Sequence, residues 1–139
     1  MKHWLTIHYP HIRPVHPWSI YLKERYKRKA KQIEVGDQVF FYELAGKSGS
    51  GRRAIVAIGD VRGLARKNTE RGDSPEDERD AIWEIEIPCG RHNFSGRVDR
   101  ATVYDVLGWP KDRPMQLQGG LMKLKPEAVE SLRSLFAHP

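Results

Sequence analysis

A short apolar run without polar interruption occupies residues 39–42, where one Val, two Phe and one Tyr follow one another. β-branched and aromatic residues are enriched in strands, and a run of this kind indicates a strand covered on both faces. Val35-Gly36-Asp37 precedes it as a turn signal, because Gly adopts positive φ easily and Asp bonds to nearby backbone. The pattern therefore predicts a buried strand at residues 38–44.

A second apolar run, Ala54–Val61, follows this strand after a connector at residues 45–53 that contains three glycines. Two strand-like runs separated by a Gly-rich segment predict a β-hairpin. Gly59 falls inside the second strand, where a glycine often marks a bulge or a close backbone approach. We expect this hairpin to form the centre of the core.

The remaining periodic segments predict three further strands and three helices. Residues 81–88 alternate as in a half-buried strand, with Trp83, Ile85 and Ile87 on one face and Glu84 and Glu86 on the other. Strands are also predicted at residues 4–7 and 115–124, helices at 18–32, 99–107 and 126–136, and loops or turns at 9–17, 62–80 and 90–97. The total is five or six strands with a helix near each end.

Residue preferences at helix ends and faces support these helices. Pro17 and Pro126 suit the first helical position, where the missing N–H costs nothing, and Asp99 suits an N-cap. The inner stripe predicted for the C-terminal helix consists of Val129, Leu132, Leu135 and Phe136.

Length and composition indicate one globular domain spanning residues 1–139. Cys89 is the single cysteine, which excludes an intrachain disulfide and a multi-thiolate zinc site. No apolar run approaches the roughly 20 residues of a membrane helix, and the first residues lack the apolar segment of a signal peptide. We therefore expect a cytoplasmic protein that does not enter membranes.

The charge of the chain favours a polyanionic partner. The formal net charge is +6, and six of the nine residues at 23–31 are Lys or Arg, opposed only by Glu24. Such a segment attracts phosphates at long range, although a charge run on a helix is also typical of a solvated face. The expected contacts with a nucleic-acid backbone come from Lys23, Arg25, Lys27, Arg28, Lys29, Lys31, Lys47, Arg52 and Arg53.

Several stretches in the same order resemble the EVE domain family. Residues 4–10, WLTIHYP, are similar to its YWL…SEP opening, and Trp18, the basic segment, the VGD turn at 35–37 and the FFY run at 40–42 follow as in that family. Residues 58–61 resemble its G-I-A-x-V strand, and residues 116–127 its closing strand and helix. Two departures, His8-Tyr9-Pro10 for SEP and Ser19-Ile20-Tyr21 for RN, leave the identity of a bound base open.

The resemblance implies an α+β fold, namely a small PUA-like β-barrel of five to six strands flanked by helices, as in the related YTH and ASCH domains. It also implies a pocket that holds a modified nucleobase against aromatic side chains. A flipped base needs a π-face for stacking and hydrogen-bonding groups at its edge. The expected pocket residues are Trp18, Ser19, Tyr21, Trp109, Gln116 and Gln118. Trp18 and Trp109 have the alternative of packing on the core, and Trp4 and Trp83 are expected in the core.

These observations predict a non-catalytic reader of a modified base, most plausibly a methylated or hydroxymethylated pyrimidine in DNA. We expect it to need no cofactor or metal. Its expected partners are nucleic acid and a separate effector protein. The alternative is a generic RNA-binding PUA/ASCH-like domain without base selectivity. A hydrolase or nuclease using Glu84, Glu86 or His92, and a protein-interaction module with a basic face, are further hypotheses. The N-terminal histidines lack metal-ligand spacing, and Cys89 has only His92 near it in sequence as a base.

Overall fold

The computed structural model describes residues 1–8, 18–45, 51–68, 84–92, 96–115 and 117–136. These residues form nine strands and three α-helices, which confirms the predicted α+β class. The strands are β1 His3–His8, β2 Ile20–Leu22, β3 Gln38–Glu43, β4 Ala54–Val61, β5 Arg66–Lys67, β6 Ile85–Ile87, β7 Cys89–Arg91, β8 Val98–Asp99 and β9 Leu121–Lys123. The helices are α1 Lys27–Ala30, α2 Arg100–Leu107 and α3 Pro126–Phe136, with 3-10 turns at Glu24–Tyr26 and Gln118–Gly120.

The larger sheet has the strand order β7-β4-β3-β1-β9, and β8 pairs with the far end of β4. β1 and β3 are parallel, and the other pairs are antiparallel. Within the described ranges the outer strands β7 and β9 do not meet, so the sheet is open. The predicted small β-barrel is therefore not closed among the described residues, and a second, three-stranded sheet of order β2-β6-β5 accompanies the open sheet.

The predicted hairpin is confirmed at the centre of the larger sheet. β3 pairs antiparallel with β4, and the register shifts between Phe41 and Tyr42, where Val56 is the extra residue. Gly59 marks a close backbone approach, because a Cβ there would lie 2.5 Å from the carbonyl oxygen of Gly90 on β7. Glycine at this position lets β4 and β7 pair.

Two apolar clusters cover the opposite faces of this sheet. Val39 and Phe41 belong to one cluster, and Phe40 and Tyr42 belong to the other, each at most 2% exposed. Alternate residues of a strand point to opposite faces, so the uninterrupted apolar run is explained by burial on both sides, as predicted. Trp4 is also in the core, 1% exposed, whereas Trp83 lies outside the described residues.

The helix predicted at residues 18–32 is wrong over most of its length. Ile20 and Leu22 are fully buried and pair with Ile87 and Ile85 in the smaller sheet. Pairing with a partner strand outweighs local helix propensity here, and the α-helix is confined to Lys27–Ala30. Pro17 lies outside the described residues.

Other boundaries also change. Glu86 is 4% exposed, because β2 and β5 flank β6, so the strand is not half-buried as expected. The last strand shortens to Leu121–Lys123, since Gly119 and Gly120 adopt φ of 72° and 78°. Strand β7 overlaps the start of the region 90–97 that was predicted as a turn.

The two later helices agree with the prediction in position. Asp99 is the N-cap of α2, but its carboxylate pairs with Arg97 at 3.4 Å instead of capping. On α3, Val129, Leu132 and Phe136 are buried, whereas Leu135 is 44% exposed. No helix in the described ranges is long and apolar enough to cross a membrane.

Candidate nucleic-acid interface

Trp18 lies just before β2, beside the carboxyl end of β1. Its ring stacks on the imidazole of His8, with centroids 4.4 Å apart and planes 15° apart. It also meets Phe41 edge to face at 5.4 Å. The half-buried indole is thus fixed against the sheet by two aromatic rings, a geometry that orients a π-surface.

The guanidinium of Arg91 lies 4.8 Å from the centroid of the Trp18 ring, within cation–π range. Arg91 is on β7, which reaches this position because β7 pairs with β4 at Gly59. The sequence pattern did not indicate Arg91 or His8 as neighbours of Trp18. The sequence around Arg91 predicted a turn, and only the pairing of β7 with β4 brings it to the indole.

Ser19 and Tyr21 follow Trp18; the first is buried, and the second forms a hydrogen bond within the fold. Ser19 is 5% exposed. The hydroxyl of Tyr21 donates to the carboxylate of Glu86 at 3.0 Å, and the same carboxylate receives Arg66 Nε at 2.8 Å. Tyr21 therefore helps to hold the smaller sheet together.

The structure separates Trp109 from Trp18. Trp109 packs in the cluster that contains Phe40 and Tyr42, and meets Tyr104 edge to face at 5.3 Å. Trp18 packs against the cluster on the other face, so the two indoles of the predicted pocket lie on opposite faces of the sheet. Gln118 begins a 3-10 turn and does not continue a strand, and Gln116 lies outside the described residues.

The basic segment, residues 23–31, is folded into a connector, a 3-10 turn and one short helix. In the described part of the chain, no carboxylate pairs with the four cations Lys23, Lys27, Arg28 and Lys31. Arg25 lies 5.0 Å from the ring centroid of Tyr26. Most of the segment remains available to a polyanion.

Lys29 differs from its neighbours. Its ammonium donates to the carbonyl oxygen of Leu121 on β9, and burial lowers the pKa of its side chain. Lys29 thus joins the basic segment to the edge of the larger sheet, which is a structural contact that the sequence pattern did not indicate.

The cations predicted in the hairpin connector are Lys47, Arg52 and Arg53, and the two described arginines do not share one environment. Arg52 binds the carboxylate of Glu43 with both its side chain and its backbone N–H, at 2.8 to 3.2 Å. Glu43 is 5% exposed. Burial acts to raise the pKa of Glu43, but the hydrogen bonds and charge of Arg52 outweigh it and lower that pKa. Arg53 is exposed, and Lys47 lies outside the described residues.

Comparison with known proteins identifies the family. The EVE domain model matches residues 2–105, which is most of the chain. The chain belongs to the EVE domain family. The matched range includes Trp18, the basic segment and Arg91, and it ends before Trp109. No curated protein matches this sequence.

Solved structures with the same fold have low sequence identity to this EVE domain. Human THYN1 in complex with 5-methylcytosine-containing DNA is 12% identical with a TM-score of 0.61, covering 100% of this chain and 99% of that one. Rpa0253 from Rhodopseudomonas palustris is 15% identical with a TM-score of 0.57, covering 99% and 94%. The ZmASCH S128A mutant from Zymomonas mobilis is 11% identical with a TM-score of 0.53, covering 96% of each chain.

The groups considered for catalysis, Cys89, His92 and the two glutamates, have distinct surroundings in this EVE domain. Burial raises the pKa of the Cys89 thiol to about 12, which leaves almost no reactive thiolate. His92 Nε2 lies 2.9 Å from a carboxylate oxygen of Asp60. Glu86 is buried and paired with Arg66, while Glu84 is exposed, so the two glutamates do not form a matched acid and base pair.

Proposed function

We propose that this EVE domain is a non-catalytic nucleic-acid-binding module that holds one modified base against Trp18. The favoured base is a methylated or hydroxymethylated pyrimidine in DNA. The observation that carries the proposal is the half-buried Trp18 ring, fixed by His8 and approached by the exposed guanidinium of Arg91. An oriented aromatic ring beside a cation suits a base and its phosphate.

The arrangement assigns a role to Arg91. A base that stacks on the Trp18 ring displaces the guanidinium of Arg91 from that ring. The Arg91 side chain can move with the bound nucleotide because it is exposed. The displaced guanidinium then binds the phosphate of the same nucleotide, since Arg forms paired hydrogen bonds with phosphate oxygens. His8 stays on the indole and keeps its plane fixed.

The cations of the basic segment supply the remaining contacts. Lys23, Lys27, Arg28 and Lys31 bind backbone phosphates without regard to sequence, because such contacts position the strand but do not read bases. The complex of human THYN1 with 5-methylcytosine-containing DNA supports both the partner and the base class, since this chain has the same fold.

The test is fluorescence-anisotropy binding to matched oligonucleotides. Single- and double-stranded DNA and RNA carry cytosine, 5-methylcytosine, 5-hydroxymethylcytosine, adenine or N6-methyladenine at one position, at low and high salt. We expect a preference of about tenfold or more for one modified pyrimidine, worth about 1.4 kcal/mol. Flat binding that collapses with salt would instead favour the generic RNA-binding alternative.

Two tryptophan variants locate the pocket. Trp18→Ala should abolish the base preference and leave weak, salt-sensitive binding, because the backbone contacts persist. Trp109→Ala is the matched control, since it removes an indole from the opposite face of the sheet. Loss of preference in Trp109→Ala alone, or in neither variant, would contradict the assignment. Thermal melting of both variants checks that each is folded.

A further inference from the structure

A cavity of about 380 Å³ lies on the face of the larger sheet opposite Trp18, between the carboxyl end of β3 and the amino end of α2. Tyr42, Arg53 and Arg100 line it, and Leu44 and Met115 are among its apolar walls. Small-molecule sites usually combine mostly apolar walls with a few convergent polar groups in about this volume. The cavity therefore has the size and composition of a ligand site.

The hydroxyl of Tyr42 has no hydrogen-bond partner within the described ranges, although the residue is 2% exposed. Buried hydroxyls are normally paired, because an unmade hydrogen bond costs free energy. Burial raises the pKa of Tyr42 to about 12, and Arg100 and Arg53 act on it in the opposite direction. The hydroxyl is thus a protonated donor close to both arginines.

The two arginines are not neutralised by a carboxylate among the described residues. Arg53 forms no ion pair there, and Arg100 donates to the carbonyl oxygen of Arg113 at 3.0 Å while lying over the ring of Tyr104. Asp99, the carboxylate that also acts on Tyr42, pairs with Arg97. The wall of the cavity therefore carries excess positive charge.

The backbone holds Arg53 in place. Its φ is 51°, in the left-handed region that favours glycine. Its carbonyl oxygen accepts the backbone N–H of Arg100 at 3.0 Å, so the two arginines are linked through the main chain at the mouth of the cavity.

We propose that this cavity binds a phosphate monoester attached to an apolar or aromatic body, such as a nucleoside 5′-monophosphate. A phosphate monoester carries about −1.5 to −2 charge at pH 7, which matches two guanidinium groups. The Tyr42 hydroxyl donates to a third phosphate oxygen, and the apolar walls take the body. The ligand is either a free nucleotide or the phosphorylated end of a strand. The proposal does not depend on base recognition at Trp18.

The test is isothermal titration calorimetry with cytidine 5′-monophosphate, cytidine, inorganic phosphate, and a trinucleotide with and without a 5′-phosphate. We expect the monophosphate to bind at least about tenfold more tightly than cytidine or inorganic phosphate. Arg53→Gln and Arg100→Gln should each weaken it about tenfold. Arg62→Gln, which removes an arginine remote from the cavity, is the control and should leave it unchanged.

Tyr42→Phe distinguishes a ligand donor from a structural group. It should weaken binding about fivefold while the melting temperature of the free protein stays the same or rises, because the hydroxyl it removes has no partner in the described part of the chain. A trinucleotide that binds more tightly with its 5′-phosphate than without it, by a margin that Arg53→Gln removes, would identify a strand end. Equal binding of the two trinucleotides, with the mononucleotide still binding in the cavity, would identify a free nucleotide. The proposal is overturned if the monophosphate does not bind saturably, or if cytidine or inorganic phosphate binds as tightly. It is also overturned if the arginine variants bind the monophosphate normally, or if Tyr42→Phe lowers the melting temperature.

Discussion

The indole N–H of Trp4 donates to the carboxylate of Asp37 at 3.0 Å in the interior of the protein. The same carboxylate accepts the backbone N–H groups of Lys2 at 3.0 Å and Glu34 at 2.9 Å. Asp37 is 3% exposed. The aspartate of the turn before β3 thus also fixes the start of the parallel strand β1, and with it the end of β1 where His8 meets Trp18.

Asp37→Asn should destabilise the fold by about 3 kcal/mol. An amide has one acceptor oxygen in place of two, so it cannot accept all three hydrogen bonds and leaves an N–H group unpaired. Urea unfolding followed by tryptophan fluorescence measures the change. Asp105→Asn is the control, since Asp105 is exposed and pairs with Lys111 at the surface at 3.0 Å. We expect it to change stability by less than about 1 kcal/mol. Equal effects of the two variants would contradict the structural role of Asp37.

Acid should destabilise the protein through Asp37 and Glu43. Burial acts to raise the pKa of both carboxyls, but hydrogen bonds and neighbouring cations outweigh it, so both folded-state pKa values lie below the ordinary 3.8 and 4.5. A depressed folded-state pKa gives stability that is present above the unfolded-state value and lost as pH falls through the folded-state value. Urea midpoints measured from pH 7 downward should therefore drop below about pH 5.

The same titration in Asp37→Asn tests the assignment. Its stability should depend less steeply on pH in the acid range than that of the wild type, since one of the two titrating groups is removed. An unchanged acid slope would show that Asp37 does not contribute.

Gly59→Ala should weaken the pairing of β4 with β7. The added Cβ would lie 2.5 Å from the carbonyl oxygen of Gly90 and 3.1 Å from Phe41, so the strands must move apart. We expect a loss of about 2 kcal/mol, together with altered base binding because β7 carries Arg91. Gly63→Ala is the control, since its Cβ would first meet the Pro88 side chain at 3.2 Å. Chemical denaturation compares the two, and a larger loss in Gly63→Ala would contradict a close approach of the strands at Gly59.

The basic segment should act through phosphates. The double variant Lys27→Gln and Arg28→Gln should reduce the slope of log affinity against log salt by about 0.9 for each duplex phosphate that is no longer neutralised. Its melting temperature should stay near that of the wild type, because both side chains are exposed and form no ion pair in the described part of the chain. Lys29→Gln should instead lower the melting temperature, because the ammonium of Lys29 donates to the carbonyl oxygen of Leu121. Anisotropy titrations at several salt concentrations and thermal melts measure both effects.

The local pattern of apolar and polar residues was sufficient to predict the elements whose buried faces can be read from their own sequence. The apolar run of β3, its hairpin partner β4 and the amphipathic helix α3 were found because periodicity reports which faces are buried. Gly59 was predicted to mark a bulge or a close backbone approach, because a glycine inside a strand often has one of these two causes, and the structure shows the close approach. Family resemblance added Trp18, which composition alone would have left as an ordinary loop aromatic.

Pairing between distant segments was decided only by the tertiary structure. The sequence of residues 18–32 permits a helix, yet Ile20 and Leu22 are strand residues because β6 is available to pair with them. The same dependence on distant partners separates Trp109 from Trp18, brings Arg91 to the indole, and commits Lys29 to β9 while its neighbours stay exposed. The sequence by itself determined the class of fold, the central hairpin and the charge. Which side chains meet at each face was set by long-range strand pairing, because register and neighbours depend on contacts that no local window contains.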